Sequence, residues 1–257
     1  NFPWQANNVT LLFKNGATLK TIAEEGSVEF TNCRFVDAVM NFQGECSISL
    51  ENCDWKGDYD PVKNITALNS NQSEITIRDC YFSTKNARAI KNCNTLNIER
   101  SHFLLCGNHE MHGGAIAHLY GERKIENCTF DRCFGGYGGA IFAMDSYGIS
   151  NCEFISCESR SLKEDGAQDI AVIAIRNTEN NILDSCVFRH TSVSVGNSIS
   201  GRGRYIASNC NFIKGSLYFH LSDNHVFGGK SKFDGGRVIE KYFDIDEEGI
   251  EELLMTE

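Results

Sequence analysis

The sequence is poor in features that would assign it to several common classes of protein. It has only 2 prolines in 257 residues, and little helical periodicity separates its apolar segments. No stretch reaches the about 18 consecutive apolar residues that a membrane-spanning helix needs. These features favour short extended segments joined by tight turns, and they argue against a membrane span.

Basic charge is also scarce. Lys and Arg number 24 against 34 Asp and Glu, which gives a net charge of −10. The two arginines of Gly201–Arg204 are too isolated to form a basic patch, and we interpret them as a solvated turn. Nucleic acids and anionic membrane surfaces attract proteins with clustered cations. We therefore expect neither as a partner.

What the sequence does have is a repeated phrase, apolar-x-[Asn/Asp/Ser]-Cys-x-[Phe/Trp]. Successive copies are roughly 20 to 27 residues apart, with one gap of about 34. Two degenerate copies have Ser101 and Ser231 in place of cysteine. Repeats of this length predict a solenoid whose units bury their apolar faces by stacking. The cysteines of the seven full copies are Cys33, Cys53, Cys80, Cys128, Cys152, Cys186 and Cys210.

Each repeat contains two short strands joined by a bend. Apolar residues alternate at Ile48 and Leu50, skip Asn52, and resume at Cys53 and Trp55. Asn and Asp tolerate left-handed backbone and bond nearby main chain, which suits a corner that recurs in every coil. We predict that these side chains form a ladder that bonds the main chain of adjacent coils. Its members are Asn32, Asn52, Asn127, Asn151 and Asn209.

A third strand follows in each repeat, most clearly at Gly113–Ala117 and Gly138–Phe142. Three strands per coil predict an all-β fold, a parallel β-helix of about nine coils in which each strand pairs with its equivalent one coil on. The connection before the third strand varies in length, and variable loops on a rigid scaffold are common binding sites. The weaker third strands are Thr66–Leu68, Arg88–Ile90, Ala171–Ile173 and Ser198–Ser200.

The repeat covers most of the chain without a linker, so we expect one domain for residues 1–257. Residues 1–27 form an N-terminal cap or first coil, 28–235 the repeated coils, and 236–257 an acidic C-terminal cap. Ile250, Leu253 and Leu254 have helical spacing. This spacing predicts a short helix over the end of the last coil.

The twelve cysteines follow the period of the coils, which favours buried thiols over disulfides or metal ligands. Cys106, Cys133 and Cys157 each lie three residues after the Phe of their coil. No Cys-x2-Cys pair occurs, although zinc sites commonly use that spacing. We therefore expect unpaired thiols in columns inside the solenoid, no metal site and no cofactor.

The third strands carry a resemblance to a known family. Gly-Gly-Ala-Ile occurs at Gly113–Ile116 and Gly138–Ile141, each after a Phe-x-x-Cys. This combination of Gly-Gly-Ala-Ile with Phe-x-x-Cys resembles the repeats of chlamydial polymorphic outer membrane proteins, which have Asn at the positions of Cys106 and Cys133. More broadly, the chain resembles the right-handed pectin-lyase-like β-helix. That fold includes polysaccharide lyases, hydrolases, epimerases and non-catalytic adhesins.

The second resemblance implies a cleft along the sheet formed by the third strands. Lyases of that fold hold Ca²⁺ in a carboxylate cluster, and hydrolases pair two Asp residues with Gly-His-Gly and Arg-x-Lys. Neither phrase occurs in this sequence. The residues beside the inward position of the third strands are small, neutral or aromatic, so the acidic cluster is not found there. Ca²⁺ is therefore expected only if the chain is a lyase. If it is an enzyme, the candidate catalytic residues are Lys91, His118, Asp145, Asp165, Asp169, Arg176, Arg202 and Arg204.

Two functions stay open at this point. The first is a non-catalytic, adhesin-like β-helix domain, secreted or at the cell surface, that binds a glycan or protein partner. Phe142, flanked by Tyr137 and Tyr147, would be its contact, since aromatic rings bury large apolar areas. The second is a carbohydrate-active lyase, hydrolase or epimerase. The chain starts at Asn1 without a methionine or signal peptide, and we expect it to be part of a larger or processed protein.

Overall fold

The computed structural model describes a β-solenoid built entirely of parallel strands. It covers residues 4–13, 17–22, 26–136, 138–144, 147–159, 173–175, 181–191, 193–195, 205–214, 216–219, 226–228, 232–234 and 237–240. These residues form 33 strands, β1–β33 in chain order, and no helix. The all-β parallel solenoid predicted from the repeat is confirmed.

The strands form two long sheets, one on each side of the first bend. Sheet 1 contains β1 (Trp4–Asn7), β4 (Ser27–Thr31), β7 (Ser47–Glu51), β10 (Glu74–Arg78), β13 (Leu96–Glu99), β17 (Arg123–Glu126), β21 (Tyr147–Ser150), β25 (Asn181–Asp184), β28 (Tyr205–Ser208) and β31 (Val226–Gly228). Sheet 2 contains β2 (Thr10–Leu12), β5 (Arg34–Val36), β8 (Asp54–Asp58), β11 (Tyr81–Lys85), β14 (His102–Leu104), β18 (Thr129–Asp131), β22 (Glu153–Ile155), β26 (Val187–Arg189), β29 (Asn211–Ile213) and β32 (Lys232–Asp234), with β15 (Gly107–Asn108), β19 (Phe134–Gly135) and β23 (Glu158–Ser159) beside them.

The predicted third strands form a further sheet, which is continuous through seven strands. Sheet 3 contains β3 (Thr18–Ile22), β6 (Val39–Gln43), β9 (Thr66–Ser70), β12 (Arg88–Asn92), β16 (Ile116–His118), β20 (Ile141–Ala143) and β24 (Ile173–Ile175). Sheet 4 contains β27 (Val193–Val195), β30 (Ser216–Phe219) and β33 (Arg237–Glu240). About seven turns therefore have all three strands in continuous sheets, where about nine coils were expected.

Each strand pairs with its equivalent one turn later. Ile48 of β7 lies opposite Ile75 of β10, which lies opposite Leu96 of β13. The coils also extend past residue 235, because β33 pairs with β30 inside the segment predicted as the C-terminal cap. The predicted capping helix at Ile250–Leu254 lies outside the described residues.

A stack of aromatic rings runs through the core at the Phe/Trp position of the repeat. Neighbouring ring centroids are 4.4 to 5.8 Å apart, and from Phe82 onward the ring planes lie within 8° of each other. Every ring in the stack is buried. Aromatic residues bury large apolar areas, so this stack is a main source of the attraction between turns. Its members are Phe35, Trp55, Phe82, Phe103, Phe130, Phe154, Phe188 and Phe212.

The predicted bend between sheets 1 and 2 has the left-handed backbone expected of Asn. Asn52 has a φ of 51° and Asn127 a φ of 54°. The side chains of the bend are exposed, however. Asn52 Nδ2 donates to Asn32 Oδ1 at 2.6 Å, whereas the bonds to main chain come from the backbone, as when Asn127 N donates to Ser150 O at 3.0 Å. In the first turns the ladder thus stacks side chain on side chain at the surface.

A second left-handed bend, which the repeated phrase does not predict, follows sheet 2. Its residues have φ values from 48° to 53° but share no side-chain type. Neither Gly nor Asn marks the position, so no local pattern reveals it. The bend residues are Asp37, Leu105, Arg132, Ser156, His190 and Lys214.

None of the twelve cysteines forms a disulfide, as predicted, and eleven of them are buried. They do more than fill space. Cys53 Sγ lies 3.4 Å from Phe30 O and 3.3 Å from Glu51 O, and the N–H of Cys53 donates to Cys80 Sγ at 3.4 Å. Ser101 takes over this role one turn later, where its Oγ accepts from Cys80 N at 3.1 Å. The position therefore needs a small side chain that both donates and accepts a hydrogen bond.

The two Gly-Gly-Ala-Ile corners are steric requirements of the stack. Gly113 has a φ of 69°, in the left-handed region. A Cβ on Gly114 would lie 2.2 Å from Phe134 O and 2.3 Å from Gly139 O. Glycine is needed here because the backbone of the next turn occupies the space of a side chain.

Candidate binding groove

A groove of about 960 Å³ lies on the outer face of sheet 3 in the N-terminal half of the solenoid. Its floor includes a row of outward residues from three neighbouring strands, β6, β9 and β12. Asn41 lies opposite Asn69, which lies opposite Lys91. We call this cavity the sheet-3 groove. It follows the sheet along which the pectin-lyase-like resemblance implied a cleft.

The lining of the groove includes both apolar and charged side chains. Beside the floor row and Thr66, the lining includes two basic residues, Lys63 and Arg88. Its apolar lining residues are Leu12, Phe13, Val39, Ile65 and Met111, and its carboxylates are Asp37, Asp58 and Asp60. A ligand in this groove meets both hydrogen-bonding groups and apolar surface.

Buried side chains hold the loops that wall the groove. Asn108 Nδ2 donates to Pro61 O at 3.0 Å, which fixes the loop between β8 and β9. Arg88 Nε donates to His112 O at 3.0 Å and to Gly113 O at 3.1 Å, which fixes the loop between β15 and β16. Loops tied in this way form a preorganised cavity, which lowers the entropic cost of binding.

Arg88 is a buried cation whose described hydrogen bonds go to neutral groups. Only 8% of the residue is exposed, and its remaining bonds are to His112 O at 2.6 Å and Thr66 Oγ1 at 3.3 Å. Burial lowers its pKa to about 10, so it stays protonated near neutral pH. Its guanidinium therefore bonds carbonyl oxygens of the wall rather than a carboxylate.

The carboxylates Asp58 and Asp60 have lysine partners. Asp58 lies 2.9 Å from Lys85 Nζ, and Asp60 lies 3.6 Å from Lys63 Nζ. Tyr59 between them donates its hydroxyl to Ala38 O at 2.7 Å, and burial raises its pKa. Tyr59 is thus a buried structural contact of the wall, whereas the two ion pairs lie at the exposed surface.

The two amides of the floor row form a pair. Asn69 Nδ2 donates to Asn41 Oδ1 at 3.1 Å. Asn69 Oδ1 is buried and has no hydrogen-bond partner within the described part of the chain. A buried acceptor without a donor costs about 1 to 3 kcal/mol.

Of the predicted site residues with described side chains, Lys91 is the one that lines this groove. His118 in β16 is fully buried, and its Nε2 is bonded to Asn94 O. Phe142 in β20 is 5% exposed and tilts against the His112 ring, with centroids 5.2 Å apart. Tyr147 begins β21, in sheet 1 rather than beside Phe142. The other predicted site residues, Tyr137, Asp145, Asp165, Asp169, Arg176, Arg202 and Arg204, lie outside the described residues.

Asn41 and Arg88 are groove residues that the sequence pattern did not indicate. The alternation of buried Met40 and Phe42 around Asn41 could have placed its side chain on the outer face. Arg88 begins a predicted strand, but its contact with the carbonyls of residues 112 and 113 depends on stacking of the next turn. Sequence periodicity holds no signal for that contact.

Within the described ranges, no group of three or more His, Cys, Asp or Glu side chains is arranged to hold a metal ion. The same ranges contain no helix with the length and apolarity to cross a membrane.

Comparison with known proteins finds no matching family model and no matching curated protein. Among solved structures, the chain is similar to the surface protein and adhesin PfbA of Streptococcus pneumoniae, with a TM-score of 0.34 and 12% sequence identity. The match covers 84% of this chain and 68% of that chain. A likeness of this size carries no argument about function.

Proposed function

We propose that this chain is a non-catalytic, adhesin-like β-solenoid domain, secreted or at the cell surface, and that its sheet-3 groove binds a glycan. The observation that carries the proposal is the preformed cavity of about 960 Å³ with amides, cations and apolar side chains on its lining. Its volume lies at the upper end of the about 300 to 1,000 Å³ usual for small-ligand sites.

A sugar matches the two kinds of surface in the groove. A pyranose ring has a rim of hydroxyls and faces of C–H groups. Asn41, Asn69 and Lys91 offer hydrogen bonds to the rim, and Phe13, Ile65 and Met111 offer apolar surface to a ring face. A protein partner commonly covers about 800 Å² on each side. A groove of about 960 Å³ instead has the size of a small-ligand site, so we favour a glycan over a protein here.

Most of the described acids and bases of the groove already have partners, which favours binding over turnover. General acid–base catalysis needs titratable groups that are free to exchange protons with a substrate. Asp58 and Asp60 are paired with lysines, and Arg88 is bonded to carbonyls of the wall.

We further propose that the chain belongs to the pectin-lyase-like superfamily. The likeness of its Gly-Gly-Ala-Ile corners to the repeats of polymorphic outer membrane proteins supports the proposed surface location.

The proposal is tested on a glycan array with two matched substitutions. Lys91→Trp places a bulky ring in the groove, whereas Lys124→Trp places it on the outer face of sheet 1. We expect the unmodified chain and Lys124→Trp to bind the same glycans and Lys91→Trp to lose that binding. If both variants bind normally, the site lies elsewhere.

The enzyme alternative is tested with the same glycans, assayed for new reducing ends and for unsaturated products. Asp37 is the groove carboxylate without a lysine partner among the described ion pairs. Turnover that Asp37→Asn or Lys91→Ala abolishes would show that the domain is a carbohydrate-active enzyme.

A further inference from the structure

The outward row of sheet 3 becomes more buried from one end of the groove to the other. Lys20 of β3 begins the row and is exposed, and the three floor residues from Asn41 to Lys91 are half-buried. The next two members of the row are Ala117 and Phe142, which are only 3% and 5% exposed. The outer face of sheet 3 is therefore open at the floor row and covered beyond Lys91.

The loop between β15 and β16 lies over the covered part of the sheet. Ala117 and Phe142 are on the outer face, because the isoleucine before each of them belongs to the core. The ring of His112 in this loop packs against Phe142, with centroids 5.2 Å apart. Met111 in the same loop lines the groove. The loop thus forms a wall across the row, one turn beyond Lys91.

This wall is held by the turns on both sides of it. Arg88 of the preceding turn donates from its Nε to His112 O at 3.0 Å. Gly136 of the following turn donates its N–H to Met111 O at 2.7 Å, and Met111 is only 7% exposed. A loop bonded in this way is preorganised, and moving it aside would break buried hydrogen bonds. The groove therefore has a fixed, closed end.

The two ends of the groove impose different limits on a long ligand. Thr18 lines the groove at the other end and is exposed, so a ligand can extend past it. At the closed end, a ligand that follows the row meets the Met111 loop immediately after Lys91. A sugar chain that lies along the row must therefore have its last unit at Lys91.

We propose that the sheet-3 groove recognises the terminal unit of a glycan chain, and that the Met111 loop excludes internal segments. This inference rests on the proposed glycan-binding function. The terminal unit lies at the closed end, where the Lys91 ammonium donates hydrogen bonds to its oxygen atoms and the Met111 side chain packs against its C–H groups. The rest of the chain leaves the groove past Thr18.

The test uses two arrays that carry the same set of linear oligosaccharides. One array couples them through the reducing unit, and the other couples them through the non-reducing unit. We expect the unmodified chain to bind on one array at least about tenfold more tightly than on the other, because coupling blocks the unit that enters the closed end. The array that binds identifies which end of the chain is recognised.

A variant with a shortened wall tests the role of the loop. Met111→Ala combined with His112→Ala should reduce the preference between the arrays by giving internal segments a path past Lys91. Val62→Ala is the control, since Val62 is 88% exposed and does not line the groove. It should keep the preference of the unmodified chain. Thermal unfolding verifies that each variant is folded.

The outcomes separate this inference from the function on which it rests. Equal binding of the unmodified chain on both arrays overturns terminal recognition but keeps the glycan site. An unchanged preference in the folded double variant overturns the role given to the Met111 loop. Binding on neither array overturns the proposed function itself.

Discussion

At the residue scale, the repeat uses cysteine as a small hydrogen-bonding side chain. In the column beside the first bend, each Sγ lies within hydrogen-bond distance of a carbonyl of its own turn, and five of the seven also lie near a carbonyl of the preceding turn. Cys80 Sγ and Cys152 Sγ also accept from a backbone N–H. A second column contains Cys106, Cys133 and Cys157. There the Oγ1 of Thr191 accepts a hydrogen bond from Cys157 N at 3.2 Å, as a cysteine Sγ does in the first column. Serine and threonine substitute because they supply a donor and an acceptor in similar volume.

We therefore predict that Cys152→Ser is milder than Cys152→Ala. Cys152 Sγ accepts from Cys128 N at 3.4 Å, so alanine leaves that buried N–H unsatisfied and adds a cavity. The expected loss is about 1 to 3 kcal/mol for alanine and less for serine. Denaturant unfolding measures both, with Cys93→Ala at a half-buried site as control. A serine variant less stable than the alanine variant would contradict the role given to the thiol.

At the first bend, we predict that Asn127→Ala loses about 1 to 2 kcal/mol in free energy of unfolding. The cause is the left-handed backbone, which costs alanine about that much, and not burial, since the Asn127 side chain is exposed. Asn127→Gly should cost less than Asn127→Ala. The control Asn97→Ala, on an exposed strand position, tests for a general effect of removing an amide. Equal losses for Gly and Ala would contradict a backbone origin.

At the element scale, the columns of thiols are shielded by the strands on either side. Burial raises the pKa of Cys133 well above its ordinary value, which keeps it a protonated and unreactive thiol. The strands also position each sulfur in register with the next turn. Stability of the solenoid thus depends on contacts between equivalent elements rather than on covalent links.

Thiol titration tests this shielding. We predict little reaction of the folded protein with a thiol reagent and about twelve equivalents after denaturation without reductant, one for each free cysteine. A denatured titre near zero would mean that disulfides are present. Half-buried Cys93 should be the first to react.

A second prediction at the element scale concerns the stability of the Gly-Gly corner. Gly114→Ala should cost about 3 kcal/mol, because its Cβ would lie 2.2 Å from a backbone oxygen that cannot easily move. Gly148→Ala is the matched control, since the nearest atom to its Cβ is 3.7 Å away. Denaturant unfolding compares them. A mild effect at Gly114 would show that the turns can separate at this corner.

At the scale of the whole molecule, each turn contacts mainly the turns beside it, and its stability is close to a sum of neighbouring interfaces. We predict that deletion of residues 127–150, one turn beyond the groove, leaves a folded solenoid. Phe103 would then stack on Phe154, and β17 would pair with β25. Deletion of residues 127–149 is the control, because a shift of one residue turns the inward faces outward.

Circular dichroism and thermal unfolding measure the outcome. The in-register deletion should keep the β spectrum with a lower unfolding midpoint, and the shifted deletion should unfold. Glycan binding should survive in the first variant, since its groove residues lie before residue 127. Equal behaviour of the two deletions would contradict the turn-by-turn view.

The sequence by itself determined the solenoid, the inward thiols and rings, and the left-handed Asn bend, because each depends on a short pattern repeated in every turn. The second bend left no such pattern, as Leu105 and Arg132 share no backbone preference that would mark it. Only the tertiary structure decided the groove. Its walls depend on Arg88 and Asn108 reaching backbone carbonyls of other turns, and its floor row depends on the register of three strands. Contacts between residues distant in sequence follow from stacking, which local periodicity does not encode.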